Sequence, residues 1–430
     1  MSAIRLAAED TEQLLARFLR YVQIDTQSDE DSTSSPSTEK QKDLARLLAE
    51  ELRELGLADA RMDEWGYVYA TLPANLPPGR GADAAVPPIG LIAHVDTYHA
   101  TPGGGVKPRV ISDYRGGDIA YEAAPDKTLR FADHPNLAKV IGHRLVTSDG
   151  TTLLGADDKA GVAEIMTVVA WLLRHPEVRH GEVRIAFTTD EEIGRGTEHF
   201  DVAGFGVRHA YTLDGSDLGE IEDETFCADA ALVSVRGHDV HPGYAKGKLI
   251  NAVRVAAAIV DRLPIDRLPE TTDGRTPYLH PYSLKGDVSS AELKLLVRAF
   301  TVEELQERED TLRLVVDEVQ RQFPAAHITV DVKESYRNMG MKIAEDPRVL
   351  EYAYEAVRRA GLEPTRRAIR GGTDGARLSF QGILTPNIWA GGQSFHSVQE
   401  WVSVEWMAKA VEATLHLLQV WVEKGARRDA

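Results

Sequence analysis

The chain has 430 residues, with 49 Lys and Arg against 67 Asp and Glu, for a formal net charge of −18. An acidic mean argues against a nucleic-acid binder, which would show a basic face, and 43% hydrophobic with 27% charged residues excludes a disordered chain. The length suits two or three domains, and the single cysteine, Cys227, excludes an internal disulfide framework and a Cys-rich zinc ribbon.

The first ten residues carry Glu9 and Asp10 and no long apolar run, so no secretory signal is expected. The most apolar stretch, residues 162–173, is too short to span a bilayer and contains Glu164, so a reducing cytoplasm is the expected compartment. Thr11 is placed to cap a helix whose Leu14, Leu15, Phe18, Leu19 and Val22 share a face. Residues 27–40, rich in Ser, Thr and Asp and containing Pro36, predict a loop. Ser37 is placed to cap a second helix, with Leu44, Leu47, Leu48 and Leu52 on one face and Gly56 after its end. Residues 73–88, rich in Pro, Gly and Ala, predict a connector. Residues 89–95, 183–187 and 210–213 are short apolar runs without helical period, which predicts buried strands, and 159–174 reads as a helix between them. This alternation predicts an α/β domain with a mixed, mostly parallel sheet and helices on both faces.

Near residue 225 the pattern changes. A strand (231–235), a helix (249–263) and two strands (281–285 and 291–298) follow. Thr301 and Glu304 then form a capping box for a helix carrying Leu305, Leu312, Val316, Val319 and Phe323, and Ile328, Val330 and Val332 alternate as a last strand. The order β-α-β-β-α-β is the ferredoxin-like α+β unit. A helix (347–360), a strand (388–389) and a final helix (404–422, ended by Gly425) restore the earlier rhythm. The economical organisation is one α/β domain, residues 1–225 and 337–430, interrupted by a smaller domain, residues 226–336.

The chemistry gathers where predicted strands end. His94 and Asp96 close one strand, Asp157 and Asp158 open a helix, Glu191 and Glu192 follow another strand, Asp214 a third, and His396 lies in a Gly-containing loop. In open α/β sheets ligands bind outside the carboxyl ends of strands. Two His and three or four carboxylates, without Cys, suit zinc, manganese or cobalt, and five or six donors fit two metals sharing a carboxylate better than one. A spare carboxylate beside such a pair can serve as general base. Glu191 and Glu192, being adjacent, diverge on a strand but both reach one site from a turn. His134, His143 and His175 lie outside any motif and read as structural, Gly103-Gly104-Gly105 reads as a flexible stretch, and Cys227 reads as buried or inert. No HExxH, GxSxG or Walker sequence occurs, which excludes single-zinc metalloproteases, α/β-hydrolases and P-loop enzymes.

The segments IAHVDT (92–97), YRGGDIA (114–120), TSDGTTLLGADDKAG (147–161), TTDEEIGRGTEHFD (188–201), HPGYAKGKLINA (241–252), SYRNM (335–339) and IRGGTDGARLSFQG (369–382) resemble the peptidase T branch, tripeptide aminopeptidases, of the co-catalytic zinc peptidase family. That family also contains glutamate carboxypeptidase and succinyl-diaminopimelate desuccinylase. The resemblance implies two zinc ions, with manganese or cobalt as substitutes, and a small peptide as substrate. It implies that His94 and Asp214 bind the first metal, that Asp157 bridges both, and that Glu192 and His396 hold the second. Glu191 would be the general base and Asp96 would orient His94. Asp158 is the alternative to Asp157, read first as a carboxylate at a helix N-terminus. In the inserted domain, taken as a lid, His241 would meet the scissile carbonyl or its oxyanion and Arg298 the peptide's carboxylate, with Arg370 and Asn338 as further substrate contacts. The smaller domain of the family often pairs across a homodimer, which the resemblance admits. The loop Gly391-Gly392-Gln393-Ser394-Phe395-His396 departs from the Tyr or Asn common around that His, and so does Ser397-Val398-Gln399 after it. The alternative activities are a dipeptidase, a carboxypeptidase or an N-acyl-amino-acid deacylase of the same chemistry, and, in another class, a metal-binding module without turnover.

Overall fold

The computed structural model describes residues 4–76 and 86–425. The middle of the predicted connector (77–85) and the start of the segment read for a signal (1–3) lie outside the described residues. The chain divides into two compact units. The first takes in the chain up to Asp223, Met341–Arg367 and the part from Thr373 onward, and the second takes in Glu224–Gly340 with Ala368–Gly372.

In the first unit the strands are β1 (Arg61–Met62), β2 (Val68–Leu72), β3 (Ile89–His94), β4 (Arg109–Ile111), β5 (Leu145–Thr147), β6 (Val183–Thr188), β7 (His209–Gly215) and β8 (Glu220–Thr225). The second unit supplies β9 (Cys227–Arg236), β10 (Tyr278–Gly286), β11 (Ser290–Ala299) and β12 (His327–Tyr336); β13 (Thr365–Ile369), β14 (Asn387–Trp389), β15 (Gly392–Gln393) and β16 (Trp401–Ser403) follow. Eight strands form one sheet in the order β1-β2-β6-β3-β7-β14-β8-β13. Its centre, β6-β3-β7-β14, is parallel, while β2 and β8 run antiparallel to their neighbours β6 and β14. The expected mixed, mostly parallel sheet is therefore present. Tyr69, Ile92, Ala186 and Ala210 point to one face, where Phe200, Phe205, Leu378 and Ile383 cover them. Tyr211 points to the other, where its hydroxyl donates to the Val349 carbonyl and accepts from the Trp421 indole of the last helix, Val404–Gly425. The helix Ala156–Arg174 packs on β3 and β7. Gly161 lets it do so: a Cβ there would stand 1.8 Å from the Leu213 carbonyl oxygen.

A second, antiparallel sheet, β15-β16-β5-β4, was not foreseen from the sequence. Its strands have two or three residues, too few for periodicity to register. Around it Tyr114, Ile119, Tyr121, Leu129, Leu137, Trp401 and Trp406 form a separate small core, and the loop joining β15 to β16 carries His396.

The second unit is β9, helix Ala252–Arg262, β10, β11, helix Val302–Gln322 and β12, with sheet order β10-β11-β9-β12, all antiparallel. This is the ferredoxin-like α+β arrangement. Thr301 and Glu304 form the expected capping box. Alternating Val233, Val235, Leu293, Leu295 and Val297 turn toward Val255, Ile259, Leu312 and Val316 of the two helices. Ala368–Gly372 joins this unit because the Arg370 guanidinium binds the carbonyls of Gly274 and Thr276 and the hydroxyl of Thr272.

Two expected caps are corrected. The first helix is Ala8–Val22, and the Asp10 carboxylate, not Thr11, takes the orphan N–H of Ala7 at 3.0 Å; an acid in the first turn also complements the helix dipole. The second helix, Gln41–Glu54, starts after Lys40 without a side-chain cap, because the Ser37 hydroxyl is spent on Asp190.

Candidate dinuclear metal centre

All seven residues assigned to metal and base lie in the first unit, at the carboxyl ends of the parallel strands or in turns beside them. His94 ends β3, Asp214 is next to last in β7, and Glu191 and Glu192 occupy a single 3-10 turn after β6. Asp157 stands at the start of its helix with φ −84° and ψ 104°, outside helical values, so its side chain leaves the helix face. Among the described residues only Asp190, Ser394 and His396 are non-glycine residues with positive φ, at 60°, 56° and 61°. All three belong to the turns that present Glu191, Glu192 and His396, and such backbone persists only where surrounding contacts hold it.

The donors form two adjoining sets sharing one carboxylate. His94 Nε2 lies 3.0 Å from Asp157 Oδ1 and 3.6 Å from Asp214 Oδ1. His396 Nε2 lies 2.8 Å from Glu192 Oε2 and 3.3 Å from Asp157 Oδ2. Asp157 thus offers one oxygen to each set. Asp158 also sits close to His94 and Asp214, but its two oxygens accept the backbone N–H groups of His94 (3.1 Å) and Gly161 (3.3 Å). Asp158 is thus occupied by backbone donors, while Asp157 faces an imidazole of each set. His94 Nδ1 faces the Asp96 carbonyl at 3.0 Å and its carboxylate at 3.4 Å, which puts the ring proton on Nδ1 and the Nε2 lone pair toward the centre.

Asp96 does more than face His94, and Asp190, Ser37, Gln41, Asp374, Tyr98 and Thr101, none of them singled out for the site from the sequence, support the centre as well. The Asp96 carboxylate accepts both the Glu191 N–H (3.0 Å) and the Glu192 N–H (3.2 Å), so it fixes both glutamates as well as His94. Behind the same turn the Asp190 carboxylate receives the Ser37 N–H and hydroxyl and the Gln41 amide, while the Asp190 N–H returns to Gln41. Asp374, buried beside Gly196, accepts from the Thr188 hydroxyl at 2.7 Å. Tyr98 stacks on the His396 ring, and the Thr101 hydroxyl donates to the His396 carbonyl. His134 and His143 make structural bonds to Ser394 and Ser403.

The electrostatics are those of a site built around cations. Burial, then repulsion from Asp157, raises Glu192 to about 8 and Asp214 to about 6. Burial also raises Glu191 well above the ordinary carboxylate range, with Asp214, Asp374 and Glu192 adding to the rise against the pull of His94. Burial opposes charging of His396, yet Asp157 and Glu192 outweigh it and lift the imidazole to about 11. Asp157 is held well below its usual range: its two imidazole partners overcome the burial. Glu192 Oε1 is buried without a hydrogen-bond partner among the described residues. Five carboxylates, Asp96, Asp157, Glu191, Glu192 and Asp214, crowd two imidazoles. Buried charge of one sign requires compensation, and two divalent cations accepting oxygen and imidazole donors supply it. The residues present therefore fit a dinuclear site.

The four residues assigned to substrate contacts belong to the second unit. His241 is exposed and caps a short 3-10 turn: its Nδ1 accepts the Gly243 N–H, so the neutral ring presents an Nε2–H donor. Arg298 lies over the Tyr336 ring and uses one nitrogen on the carbonyls of Asp229 and Val297. Arg370 is spent on residues 272–276 and stacks on Phe226 and Tyr278. The buried Asn338 amide binds the Thr225 and Gly340 N–H groups and the Phe300 carbonyl. Arg370 and Asn338 thus tie backbone together within their own unit. Cys227 is buried, as expected.

The profile of peptidase family M20/M25/M40 matches residues 143–420. Peptidase T of Geobacillus thermodenitrificans is 45% identical over 413 residues, covering 96% of this chain and 99% of that protein. Two solved structures share the fold. A tripeptidase from Staphylococcus aureus gives a TM-score of 0.74 at 22% identity, over 96% of this chain and 99% of that one. The Bacillus subtilis YXEP protein, described as a dinuclear metal binding peptidase, gives 0.64 at 16% identity, over 97% and 99%. A family profile covering most of the chain and a relative aligned over nearly all of it lead to one conclusion: the chain belongs to peptidase family M20/M25/M40.

Proposed function

We propose that the protein is a metal-dependent aminopeptidase that releases the N-terminal residue from tripeptides, with zinc as its pair of metals. One observation carries the reading: Asp157 offers an oxygen to each of two His–carboxylate sets, with Glu191 held on the adjacent turn. The similarity to peptidase T along the whole chain supports tripeptides over the substrates of other family members.

When bound, the two cations supply Lewis acidity at the scissile carbonyl and a water acidic enough to react near neutral pH. Glu191 takes a proton from the attacking water, whose oxygen bonds to the carbonyl carbon. It passes that proton to the leaving amine nitrogen as the C–N bond breaks. Asp96 keeps Glu191 and Glu192 in register by holding both N–H groups. We carry forward His241 as an oxyanion donor and Arg298 as a substrate-contacting residue on the resemblance, while Arg370 and Asn338, which the resemblance also offers as contacts, are engaged with backbone of their own unit. Among the described residues no helix is long and apolar enough to cross a membrane. The single buried free thiol fits a cytoplasmic enzyme.

The test is hydrolysis of a free tripeptide, its N-acetylated form, a dipeptide and an acylated amino acid by the zinc-reconstituted protein. Release of the first residue from the free tripeptide alone supports the reading. Turnover of the acetylated peptide or the acylated amino acid overturns it in favour of a deacylase or carboxypeptidase.

A further inference from the structure

Glu400 is not among the residues that the sequence motifs single out, and it is 1% exposed. Its Oε2 accepts the N–H groups of Leu154 (2.8 Å) and Gly155 (2.7 Å), and its Oε1 accepts that of Asp157 (2.9 Å). These donors lie in the turn that leads into the helix Ala156–Arg174, where the backbone at Gly155, Asp157 and Asp158 is not helical and their N–H groups need partners from elsewhere. The helix has no side-chain cap of its own, since Gly155 occupies that position. Glu400 takes its place from the other end of the chain, in the segment that also carries His396.

The backbone at Asp157 departs from helical geometry, so helix formation alone does not direct its two oxygens to His94 and His396. A bonded brace must hold it. The three N–H groups are donors only, so they call for an acceptor with two free oxygens, which a carboxylate supplies. A glutamine in the same place keeps the shape but has one acceptor oxygen, and its NH2 group would face a backbone N–H.

We propose that Glu400 is a positioning residue for the metal-bridging ligand. Its carboxylate clamps the 154–157 turn to the His396 segment, so that Asp157 spans both metal positions. This rests on the dinuclear reading of the site.

The test uses the full chain, stripped of metal and titrated with zinc against a chromophoric chelator, for the parent, Glu400→Gln and Glu400→Ala. The parent is expected to bind two zinc ions. Binding of fewer overturns the dinuclear reading, and this inference with it. Glu400→Gln is expected to melt cooperatively without metal, to lose tenfold or more in affinity for the zinc pair, and to lose kcat on a tripeptide with KM little changed. Formate or acetate is expected to restore zinc affinity to Glu400→Ala in proportion to its concentration, with formamide inactive. A parent that binds two ions beside a Glu400→Gln variant of undiminished zinc affinity overturns the clamp and leaves the metal site standing. So does an affinity loss that neither carboxylate relieves and that merely tracks a lowered apo Tm.

Discussion

Tyr98 lies parallel to His396, with ring centroids 4.1 Å apart and planes 4° apart. His396 is the more exposed of the two imidazoles, with 43% of its side chain accessible against 2% for His94. The stack therefore does for His396 what burial does for His94. Tyr98→Ala is expected to weaken binding of the second zinc ion by about fivefold to tenfold, the ~1 kcal/mol of an aromatic pair, while Tyr98→Phe stays near the parent. Competitive zinc titration reads both.

Glu192 pairs with the His396 imidazole, whereas Glu191 is held through its backbone N–H on Asp96. Removing it should spare the metals and stop the proton transfer. Glu191→Ala is expected to lower kcat by about 10²–10⁴ with two metal ions per chain retained, measured by tripeptide turnover beside elemental analysis. Loss of metal together with activity would assign Glu191 as a ligand instead.

Chelation should lower the melting temperature. Without cations, the crowded carboxylates repel one another, and metals binding only the folded chain stabilise it by mass action. Calorimetry with and without a chelator is expected to show a rise in Tm that grows with free zinc.

Glu164 is buried in the helix Ala156–Arg174 with both oxygens unpartnered among the described residues, and burial alone raises its pKa well above the usual range. The folded chain holds it neutral, whereas the unfolded chain ionises it above a pH of about 4.3. Unfolding therefore releases a proton above that pH, and this group's contribution to stability falls as pH rises toward its folded pKa, by up to ~1.4 kcal/mol per pH unit. Glu164→Gln is expected to melt higher than the parent at pH 8, with the gap closing toward pH 4. A constant gap across that range would sink the assignment.

At Gly161 a Cβ would meet the Leu213 carbonyl at 1.8 Å and Asp158 Oδ1 at 2.5 Å. Backbone cannot yield as a flexible side chain does. Gly161→Ala is expected to cost ~3 kcal/mol or more in denaturant unfolding and to displace Asp214, lowering zinc affinity in whatever fraction folds.

Long elements were legible in the sequence because their periodicity is strong: the helices Ala8–Val22 and Val302–Gln322, the central strands, and the whole β-α-β-β-α-β order. Strands of two or three residues, such as β15 and β16, leave no period to read. Thr11 and Ser37 misled because a hydroxyl near a helix start is only a local signal. Asp10 was the nearer acceptor for the Ala7 N–H, and Asp190 drew Ser37 from across the fold. The residues proposed as metal ligands and base stood out in the sequence by their place at strand ends, and their individual roles came from the resemblance of their segments to a known family. Gln41, Asp374 and Glu400 were not, since each acts through a partner more than a hundred residues away, and nothing local marks that.

The donors of the centre come from five separate stretches of chain, the last of them the loop between β15 and β16. A chain emerging from the ribosome holds His94, Asp157 and Asp214 long before it holds His396, and the sheet that carries His396 closes only when β16 reaches β5. The proposed pair of metal positions is thus complete only once the chain has supplied its last donor, His396. A product that ends before residue 396, however well its early strands have paired, lacks that donor.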